Sequence, residues 1–280
     1  MNRLLLKEFV DNALKEDIGD GDHSSLASIP ASARGKVQLL VKENGILAGV
    51  EVAKAVFEEL EPGILIEQFL NDGAQIKPGD IVLTVEGKVH TLLKAERLVL
   101  NIMQRMSGIA TQTKVYAERL EGLHTKVLDT RKTTPGMRML EKEAVRIGGG
   151  MNHRMGLYDM IMLKDNHVDF AGGIEKAITA VHNYLKSTGK DLKIEIEVRS
   201  IAELNEVLRI GGVDRIMLDN FDIATTRQAV ALIAGKYETE SSGGITLDTL
   251  RDYAETGVDY ISVGALTHHI KSLDLSLKAI

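Results

Sequence analysis

The chain has 280 residues and no cysteine, and its 34 Lys and Arg residues face 40 Asp and Glu residues, a net charge of −6. This length accommodates one large domain or a barrel with a smaller domain, and the lack of cysteine excludes disulfides and thiolate chemistry. The acidic balance and the scarcity of aromatic residues argue against a nucleic-acid-binding protein. No apolar run approaches the roughly 20 residues of a membrane span, and the N-terminal run is too short for a signal peptide, so we expect a cytoplasmic protein without a membrane partner.

The first part of the chain predicts a mixture of helices and strands. Apolar spacing and turn residues predict helices over 3–16, 50–60 and 91–120, the last with a break at Gly108, and strands over 36–42, 64–70 and 81–89.

After residue 123 the pattern changes to short apolar strands, each followed by a loop and most by an amphipathic helix. The predicted strands are Lys126–Leu128, Met160–Leu163, Lys193–Val198, Arg215–Leu218, Tyr237–Glu240 and Tyr260–Val263. The predicted helices are Ile174–Leu185, Ile201–Ile210, Ile223–Ile233 and Leu247–Ala254. Repeated βα units indicate a parallel sheet, either an incomplete α/β barrel or an open doubly wound sheet.

Side chains that could bind a ligand or take part in a reaction follow nearly every strand of this region, which favours the barrel. Arg131 and Lys132 follow the first strand, and Lys164 ends the second. From Arg131 to Lys164 there are seven Lys and Arg residues against three acids, the reverse of the chain as a whole. Because the loops after barrel strands open on one face, we expect a site there for a small, highly anionic substrate.

Small residues follow the last two predicted strands, at Ser242-Gly243-Gly244 and at Gly264-Ala265. Such turns let an anion approach the backbone N–H groups at a helix N-terminus. Either segment alone could be only a tight turn. Together they occupy the last two loops of the βα series, the usual phosphate site of such barrels, and we therefore predict phosphate binding.

Two carboxylates end neighbouring strands, Glu197 and Asp219. They could bind Mg²⁺, which takes one or two protein carboxylates plus substrate oxygens, or they could bind sugar hydroxyls. The alternative is ion pairing with Lys164 or Arg131, and we favour the functional role. Glu195 has the same side-chain parity as Glu197 and is a weaker candidate.

His153 lies beside Arg154, and this neighbour favours ligand contact for a histidine that would otherwise be assigned a structural role. His167, in Lys-Asp-Asn-His, stays open between the two roles. Lys142 and Arg146 have the helical spacing of a solvated face.

Arg105 lies within an otherwise apolar helix. A buried guanidinium needs an anionic partner, which is either a neighbouring acid or a substrate carboxylate.

Several motifs resemble those of the quinolinate phosphoribosyltransferase family, in the family's order and over essentially the whole chain. They are Glu16–Asp22, Gln104–Thr111, Thr130–Gly136, Gly148–Gly150, His153–Leu157, Lys164–His167, Leu218–Asn220 and Ser242–Ile245. Two minor departures are Arg199, where a small or acidic residue is expected, and Met162, where Ile or Leu is usual.

The resemblance implies an incomplete, six- or seven-stranded α/β barrel (111–269) with an N-terminal mixed α/β open-faced sandwich domain (1–110) that the C-terminal tail (270–280) joins. It implies a homodimer or larger homo-oligomer in which the N-terminal domain of one subunit covers the barrel site of its partner. The implied reaction joins quinolinate to 5-phosphoribosyl-1-pyrophosphate (PRPP), with Mg²⁺, and releases pyrophosphate and CO₂.

The resemblance also implies roles for single residues. The residues implied for the quinolinate carboxylates are Arg131, His153, Arg154, Lys164 and, from a neighbouring subunit, Arg105. Lys132 would lie between substrate and pyrophosphate, and Glu197 and Asp219 would hold Mg²⁺ or ribose hydroxyls. The remaining implied substrate contacts are Thr133, Ser242, Gly243, Gly244, Gly264 and Ala265.

Three alternatives are weaker. A paralogous transferase could act on nicotinate or another pyridine carboxylate. A non-catalytic phosphosugar sensor would have no need for a Mg²⁺ site. Residues 76–89 resemble the turn of a lipoyl-like module around Lys77-Pro78-Gly79-Asp80, but no symmetric second half follows, and we interpret the segment as structural.

Overall fold

The computed structural model describes residues 2–280, which form two compact units. The first unit contains the described residues up to Lys114, together with Thr133–Gly149 and Leu266–Ile280. The second contains Val115–Lys132 and Gly150–Ala265. The predicted boundary at residue 110 is close to the first division, whereas Thr133–Gly149 groups with the first unit although the sequence placed it in the barrel.

In chain order the elements are α1 (Arg3–Ile18), α2 (His23–Ser28), β1 (Arg34–Val41), β2 (Gly45–Ile46), α3 (Val50–Leu60), β3 (Leu65–Gln68), β4 (Gln75–Ile76), β5 (Ile81–Lys88), α4 (Val89–Arg119), β6 (Lys126–Leu128), α5 (Arg138–Ile147), β7 (Ile161–Leu163), α6 (Asp165–Ala171), α7 (Ile174–Thr188), β8 (Ile194–Val198), α8 (Ile201–Ile210), β9 (Arg215–Asp219), α9 (Ile223–Ile233), β10 (Glu238–Ser242), α10 (Leu250–Ala254), β11 (Tyr260–Ser262), α11 (Ala265–His268) and β12 (Leu275–Ala279).

The first unit contains a four-stranded sheet in the order β12-β1-β5-β3, with every neighbouring pair antiparallel. The C-terminal strand β12 is thus paired to β1, with Leu277 opposite Leu39. The core of this unit includes Leu39, Leu83 and Phe57 of α3, which are fully buried. Removal of these apolar surfaces from water is the main favourable contribution to the stability of the unit.

Helix α4 runs through 31 residues without interruption, so the predicted break at Gly108 is wrong. A Cβ at Gly108 would overlap the backbone carbonyl of Lys271. The glycine therefore allows two backbones to approach closely, which is a second use of glycine that a sequence pattern does not separate from a helix break.

The prediction of a solvated face for Lys142 is also wrong, because Lys142 in α5 is fully buried. Arg146, one turn later, is exposed and pairs with Glu143 as expected for a surface cation. Helical spacing alone did not show which of the two cations lies inside.

The second unit contains a six-stranded, entirely parallel sheet in the order β6-β11-β10-β9-β8-β7. An isolated parallel bridge from Leu128 to Met151 adds a seventh strand position beside β6. The order follows the chain cyclically, as in a barrel, and lacks the reversal of a doubly wound sheet. The predicted βα series and the preference for a barrel-type sheet are therefore confirmed.

Parallel pairing brings the carboxyl ends of these strands to one edge of the sheet. Glu197 of β8 is opposite Met217 of β9, and Ser242 of β10 is opposite Asp219. The structure thus aligns the ends of three strands that carry candidate site residues. Among the described residues, no helix is both long enough and apolar enough to cross a bilayer.

Candidate active site

The loop after β6 turns at Asp129, which is fully buried. Its carboxylate accepts hydrogen bonds from the side-chain amide of Asn152 (2.6 Å) and from the backbone N–H of His153 (2.8 Å). Beyond it, Arg131 and Lys132 are exposed. The buried carboxylate therefore fixes the strand end that presents two cations, and it was not singled out from the sequence.

Arg154 is half-buried, and its guanidinium donates to the backbone carbonyl of Met160 (3.2 Å). Burial lowers the pKa of Arg154 from its ordinary value, and the nearby charge of Arg131 lowers it further. A half-buried cation close to a second cation is stabilised when an anion binds both.

At the end of β7, Lys164 forms an ion pair with Glu197 of β8 at 3.3 Å. The lysine side chain is 47% exposed, whereas the glutamate side chain is only 8% exposed. Burial raises the pKa of Glu197, the charge of Lys164 opposes this effect, and Asp219 adds to it. The ion pair predicted as an alternative for Glu197 is thus present, and it leaves nearly half of the lysine exposed.

His167 accepts a hydrogen bond at Nδ1 from the backbone N–H of Lys164 (3.0 Å). Since Lys164 directly precedes α6, this bond satisfies a backbone group at the start of that helix. The structure therefore shows a local capping contact for the histidine that the sequence left open.

The loops after β9 and β10 fit against each other. Asn220 adopts a left-handed conformation (φ 55°), and its backbone N–H donates to the carbonyl of Ser242 (2.8 Å). A Cβ at Gly243 would overlap the Asn220 side chain, and both Gly243 and Gly244 have positive φ. Glycine is therefore required at residue 243 for space as well as for backbone conformation.

The helix predicted over Leu247–Ala254 ends at Ala254 as predicted, but it begins three residues later than predicted, at Leu250. A turn held by hydrogen bonds between Thr246 and Thr249 intervenes. After β11, α11 begins at Ala265 as expected, although it has only four residues.

Glu197 and Asp219, at the ends of the neighbouring strands β8 and β9, fit Mg²⁺ by their chemistry, because this hard cation prefers oxygen ligands such as carboxylates. Asp219 is half-buried, and its Oδ2 accepts from the side-chain amide of Asn220 (2.7 Å). Asp219 also contributes to the raised pKa of Glu197, after the larger effect of burial.

We call the charged residues at this edge the carboxyl-edge set: Arg131, Lys132, Arg154, Lys164, Glu197 and Asp219.

A second group of charges lies deeper in the same sheet and includes His153, whose side chain is only 6% exposed. Its Nε2 lies 2.9 Å from Glu195 and 3.3 Å from Glu240, and both carboxylates are fully buried. Burial lowers the pKa of His153, but the hydrogen bonds and charges of the two carboxylates outweigh it and raise the pKa to about 9.

The other ring nitrogen of His153, Nδ1, accepts from the backbone N–H of Arg154 (2.7 Å). Only an unprotonated Nδ1 accepts such a bond, so this contact opposes the second proton that the carboxylates favour. Both contacts favour a proton on Nε2, and we place it there, facing Glu195 and Glu240.

Arg215, at the start of β9, completes this group. Its guanidinium donates to Glu240 (3.2 Å) and to Glu238 (3.0 Å), and it lies 4.1 Å from the centre of the Tyr260 ring. We call His153, Glu195, Arg215 and Glu240 the interior cluster.

In the first unit, Arg105 donates from Nε to Glu141 (2.7 Å) and from Nη2 to Thr134 (2.8 Å) and the carbonyl of Thr267 (3.1 Å). A neighbouring acid, Glu141, is thus one partner of Arg105, and the arginine side chain remains 25% exposed. Thr133 accepts at Oγ1 from Arg138 (3.0 Å).

Arg105 also lines a cavity of about 750 Å³ within the first unit. Its walls come from α1, α4 and the turn before α5, and the polar residues among them are Glu8, Asn12, Glu16, Asp17, Arg97, Asn101, Arg105 and Thr134.

Three features define the class of protein: a parallel βα sheet in barrel order, cations and carboxylates at its carboxyl edge, and glycine turns beside them. They are those of a barrel-type protein for anionic ligands, since such proteins bind their ligands at this edge.

Comparison with known proteins narrows the class. The family model for the quinolinate phosphoribosyl transferase N-terminal domain matches residues 22–107, and that for the C-terminal domain matches residues 109–278. The chain therefore belongs to the quinolinate phosphoribosyltransferase family.

Full-length relatives agree. A quinolinate phosphoribosyltransferase [decarboxylating] of Nicotiana tabacum is 46% identical, and the match covers 98% of this chain and 82% of the length of that relative. A probable nicotinate-nucleotide pyrophosphorylase [carboxylating] of Bacillus subtilis is 42% identical over 99% of this chain and 94% of its own. The crystal structure of NadC from Streptococcus pyogenes superimposes with a TM-score of 0.93 at 40% identity, over 100% of this chain and 99% of that one.

Proposed function

We propose that the protein transfers the phosphoribosyl group of PRPP to quinolinate, with decarboxylation, to give nicotinate mononucleotide, pyrophosphate and CO₂, a step of NAD biosynthesis. The observation that carries the proposal is the carboxyl-edge set, in which four cations face two carboxylates in a chain whose relatives bear this activity in their names. Both substrates are multiply anionic, and the surplus of cations matches them.

Quinolinate has two carboxylates, and Arg131, Arg154 and Lys164 are the cations that we assign to them, with His153 directly behind Arg154. Arginine suits a planar carboxylate because its guanidinium can donate two parallel hydrogen bonds. Lys132 follows Arg131 in the exposed loop, and we assign it to the oxygens between quinolinate and the departing pyrophosphate.

PRPP adds a 5′-phosphate, a ribose and a pyrophosphate. The turns at Ser242–Gly244 and Gly264–Ala265 are our candidates for the 5′-phosphate, since small residues let an anion reach backbone N–H groups. Glu197 and Asp219 would hold Mg²⁺ or the ribose hydroxyls. When bound, Mg²⁺ would neutralise charge on the pyrophosphate. We assign Thr133 to substrate binding as well.

The nitrogen of quinolinate forms a bond to C1′ of the ribose as the bond from C1′ to the pyrophosphate oxygen breaks. Negative charge then grows on the pyrophosphate, where Lys132 and the neighbouring cations stabilise it, and such fixed charges are usually the largest catalytic contribution. The adjacent carboxylate leaves as CO₂, its bonding electrons pass into the pyridinium ring, and a proton takes its place. Positioning of the ring is the protein's main part in this second step.

The direct test is an assay of the purified protein with quinolinate, PRPP and Mg²⁺ that follows CO₂ and nicotinate mononucleotide. Parallel reactions with nicotinate in place of quinolinate test the paralogous alternative, and reactions without Mg²⁺ test the metal. Turnover of nicotinate without turnover of quinolinate would overturn the proposal.

We also propose a homodimer in which Arg105 of one subunit serves the site of the other, and we expect it in the cytoplasm. Arg105 supports the assignment because its side chain stays partly exposed and lines a cavity of mixed polar and apolar residues. Mixing inactive Arg105→Ala and Arg131→Ala proteins tests it. Random exchange should form dimers with one intact site and restore about a quarter of the wild-type activity. No restoration, with exchange verified by tagged subunits, would contradict a shared site.

A further inference from the structure

The interior cluster places two buried carboxylates beside the Arg215 guanidinium and the Nε2–H group of His153. The side chains of Glu195 and Glu240 are fully buried, and that of Arg215 is only 10% exposed. Ionised side chains in such a place are costly unless each one has an opposite charge at short range. Glu240 meets this need through Arg215, which lies 3.2 Å from its Oε2, and the Nε2 of His153 lies 3.3 Å from the same oxygen.

The geometry of this cluster would also satisfy three metal ligands, because the ligand atoms of His153, Glu195 and Glu240 lie within 4.8 Å of one another. Two features oppose a cation there. Arg215 already brings a positive charge to the Glu240 oxygen that a metal would use. The proton on Nε2 of His153 occupies the nitrogen that would have to coordinate. The cluster is therefore better explained as a structural support.

What the cluster supports is the loop that carries Arg154. The ring of His153 is held at Nε2 by the carboxylates, and its Nδ1 accepts from the backbone N–H of Arg154. The backbone of His153 is held separately by Asp129. A shift of the ring would move the backbone of Arg154, whose side chain we assign to a substrate carboxylate.

We propose that Glu240 and Arg215 are positioning residues, which hold the His153 ring and, through it, align Arg154 with a carboxylate of quinolinate. The inference rests on the proposed function, because it needs quinolinate as the ligand of Arg154. Neither residue reaches the carboxyl edge: Glu240 is two residues before the end of β10, and Arg215 is the first residue of β9.

Steady-state kinetics of Glu240→Gln test the proposal. Glutamine keeps the shape of the side chain and removes the charge that holds His153. We expect the KM for quinolinate to rise about tenfold, the scale of one lost contact with a charged group, while the KM for PRPP changes little. A general loss of structure would raise both KM values or lower kcat alone.

Glu238→Gln is the matched control. Glu238 lies on the same strand and binds the same Arg215, but it makes no ion pair with His153. We expect its KM for quinolinate to stay near the wild-type value. An equal rise in Glu238→Gln and Glu240→Gln would overturn the proposal, and so would an unchanged KM in folded Glu240→Gln.

If Glu240→Gln does not fold, Arg215→Lys decides the question. Lysine keeps a positive charge near Glu240 but cannot bond Glu238 and Glu240 as a guanidinium does. We expect a smaller rise in the KM for quinolinate, again without change for PRPP, and no rise would overturn the role of Arg215. An assay of the wild-type protein distinguishes failure of the proposed function from failure of this inference. If the wild type does not turn over quinolinate, the proposed function is wrong. If it does, but the KM for quinolinate is unchanged in the variants, only this inference is wrong.

Discussion

The carboxyl-edge set and the interior cluster share strands β8 and β9, yet their charges are balanced differently. Glu195 and Glu197 are two residues apart on β8. Glu195 lies against His153 deep in the sheet, whereas Glu197 pairs with a lysine that is 47% exposed. The interior cluster sets Arg215 and the Nε2–H group of His153 against two carboxylates, one of which has a raised pKa, whereas the carboxyl-edge set has four cations for two carboxylates.

This difference in charge balance separates residues that support the structure from residues that contact the substrates. A buried charge without a partner is strongly destabilising, so the interior must be balanced before any ligand arrives. An exposed edge tolerates surplus charge because water solvates it, and the surplus becomes useful when anionic substrates displace that water. We therefore expect substitutions at the edge to affect activity first and substitutions in the interior to affect stability or alignment first.

Lys132→Ala gives the largest expected effect. Loss of a cation beside the developing charge of the pyrophosphate should lower kcat roughly 100-fold to 1,000-fold, the scale seen when one preorganised donor is removed. Lys126→Ala is the control, because Lys126 is an exposed lysine at the opposite end of the same strand, β6. Equal losses in both variants would show that general charge, and not the carboxyl edge, determines the rate.

Glu197→Gln should lower kcat/KM by at least about tenfold, because an edge carboxylate that holds Mg²⁺ or ribose is lost. The same variant should be more stable than the wild type. Burial raises the pKa of Glu197, which means that the ionised form is favoured less in the folded protein than in the unfolded chain. A rise in the melting temperature together with a fall in activity would support the distinction between the carboxyl-edge set and the interior cluster. A fall in both would contradict it.

The sequence predicted the edge well because its signals are local. Each short apolar strand has its charged residue near or directly after its end, so Lys164, Glu197 and Asp219 could be placed from neighbouring residues alone. Parallel pairing then brings the strand ends together without further information.

The interior could not be predicted in the same way. Glu240 contacts His153 across 87 positions of the chain, and Glu141 contacts Arg105 across 36. Such pairs depend on the register between distant elements. The one available signal was the alternation of side chains along a strand. Glu240 lies two residues before Ser242, so its side chain must point to the same face of the sheet as that of Ser242.

Glu195→Gln tests the interior by pH. Burial, with the charge of Glu240, raises the pKa of Glu195 from its ordinary value of 4.5 to about 7. For a carboxyl group whose pKa is raised on folding, the folded state binds more protons, so the wild type loses stability as pH rises from about 4.5 to about 7. We expect denaturant unfolding to show that the free energy of unfolding of the variant, relative to that of the wild type, is higher at pH 8 than at pH 5. An identical difference at both pH values would mean that Glu195 does not titrate in this range.

Arg199→Ala gives the smallest expected effect, although Arg199 is the clearest departure from the family pattern. Its guanidinium pairs with Asp169 of α6 at 3.1 Å and with Glu203 of α8 at 2.7 Å. The arginine is 41% exposed, and exposed ion pairs contribute little to stability because water and salt screen them. We therefore expect the free energy of unfolding to fall only slightly at low salt and by still less in 1 M NaCl. Activity should stay near the wild-type value, since the arginine lies beyond the end of β8 and is already neutralised by two acids.

A marked rise in the KM for quinolinate in Arg199→Ala would instead show that the ion pair between Arg199 and α6 aligns Lys164, which directly precedes that helix. Arg199 would then be a residue that supports the carboxyl-edge set.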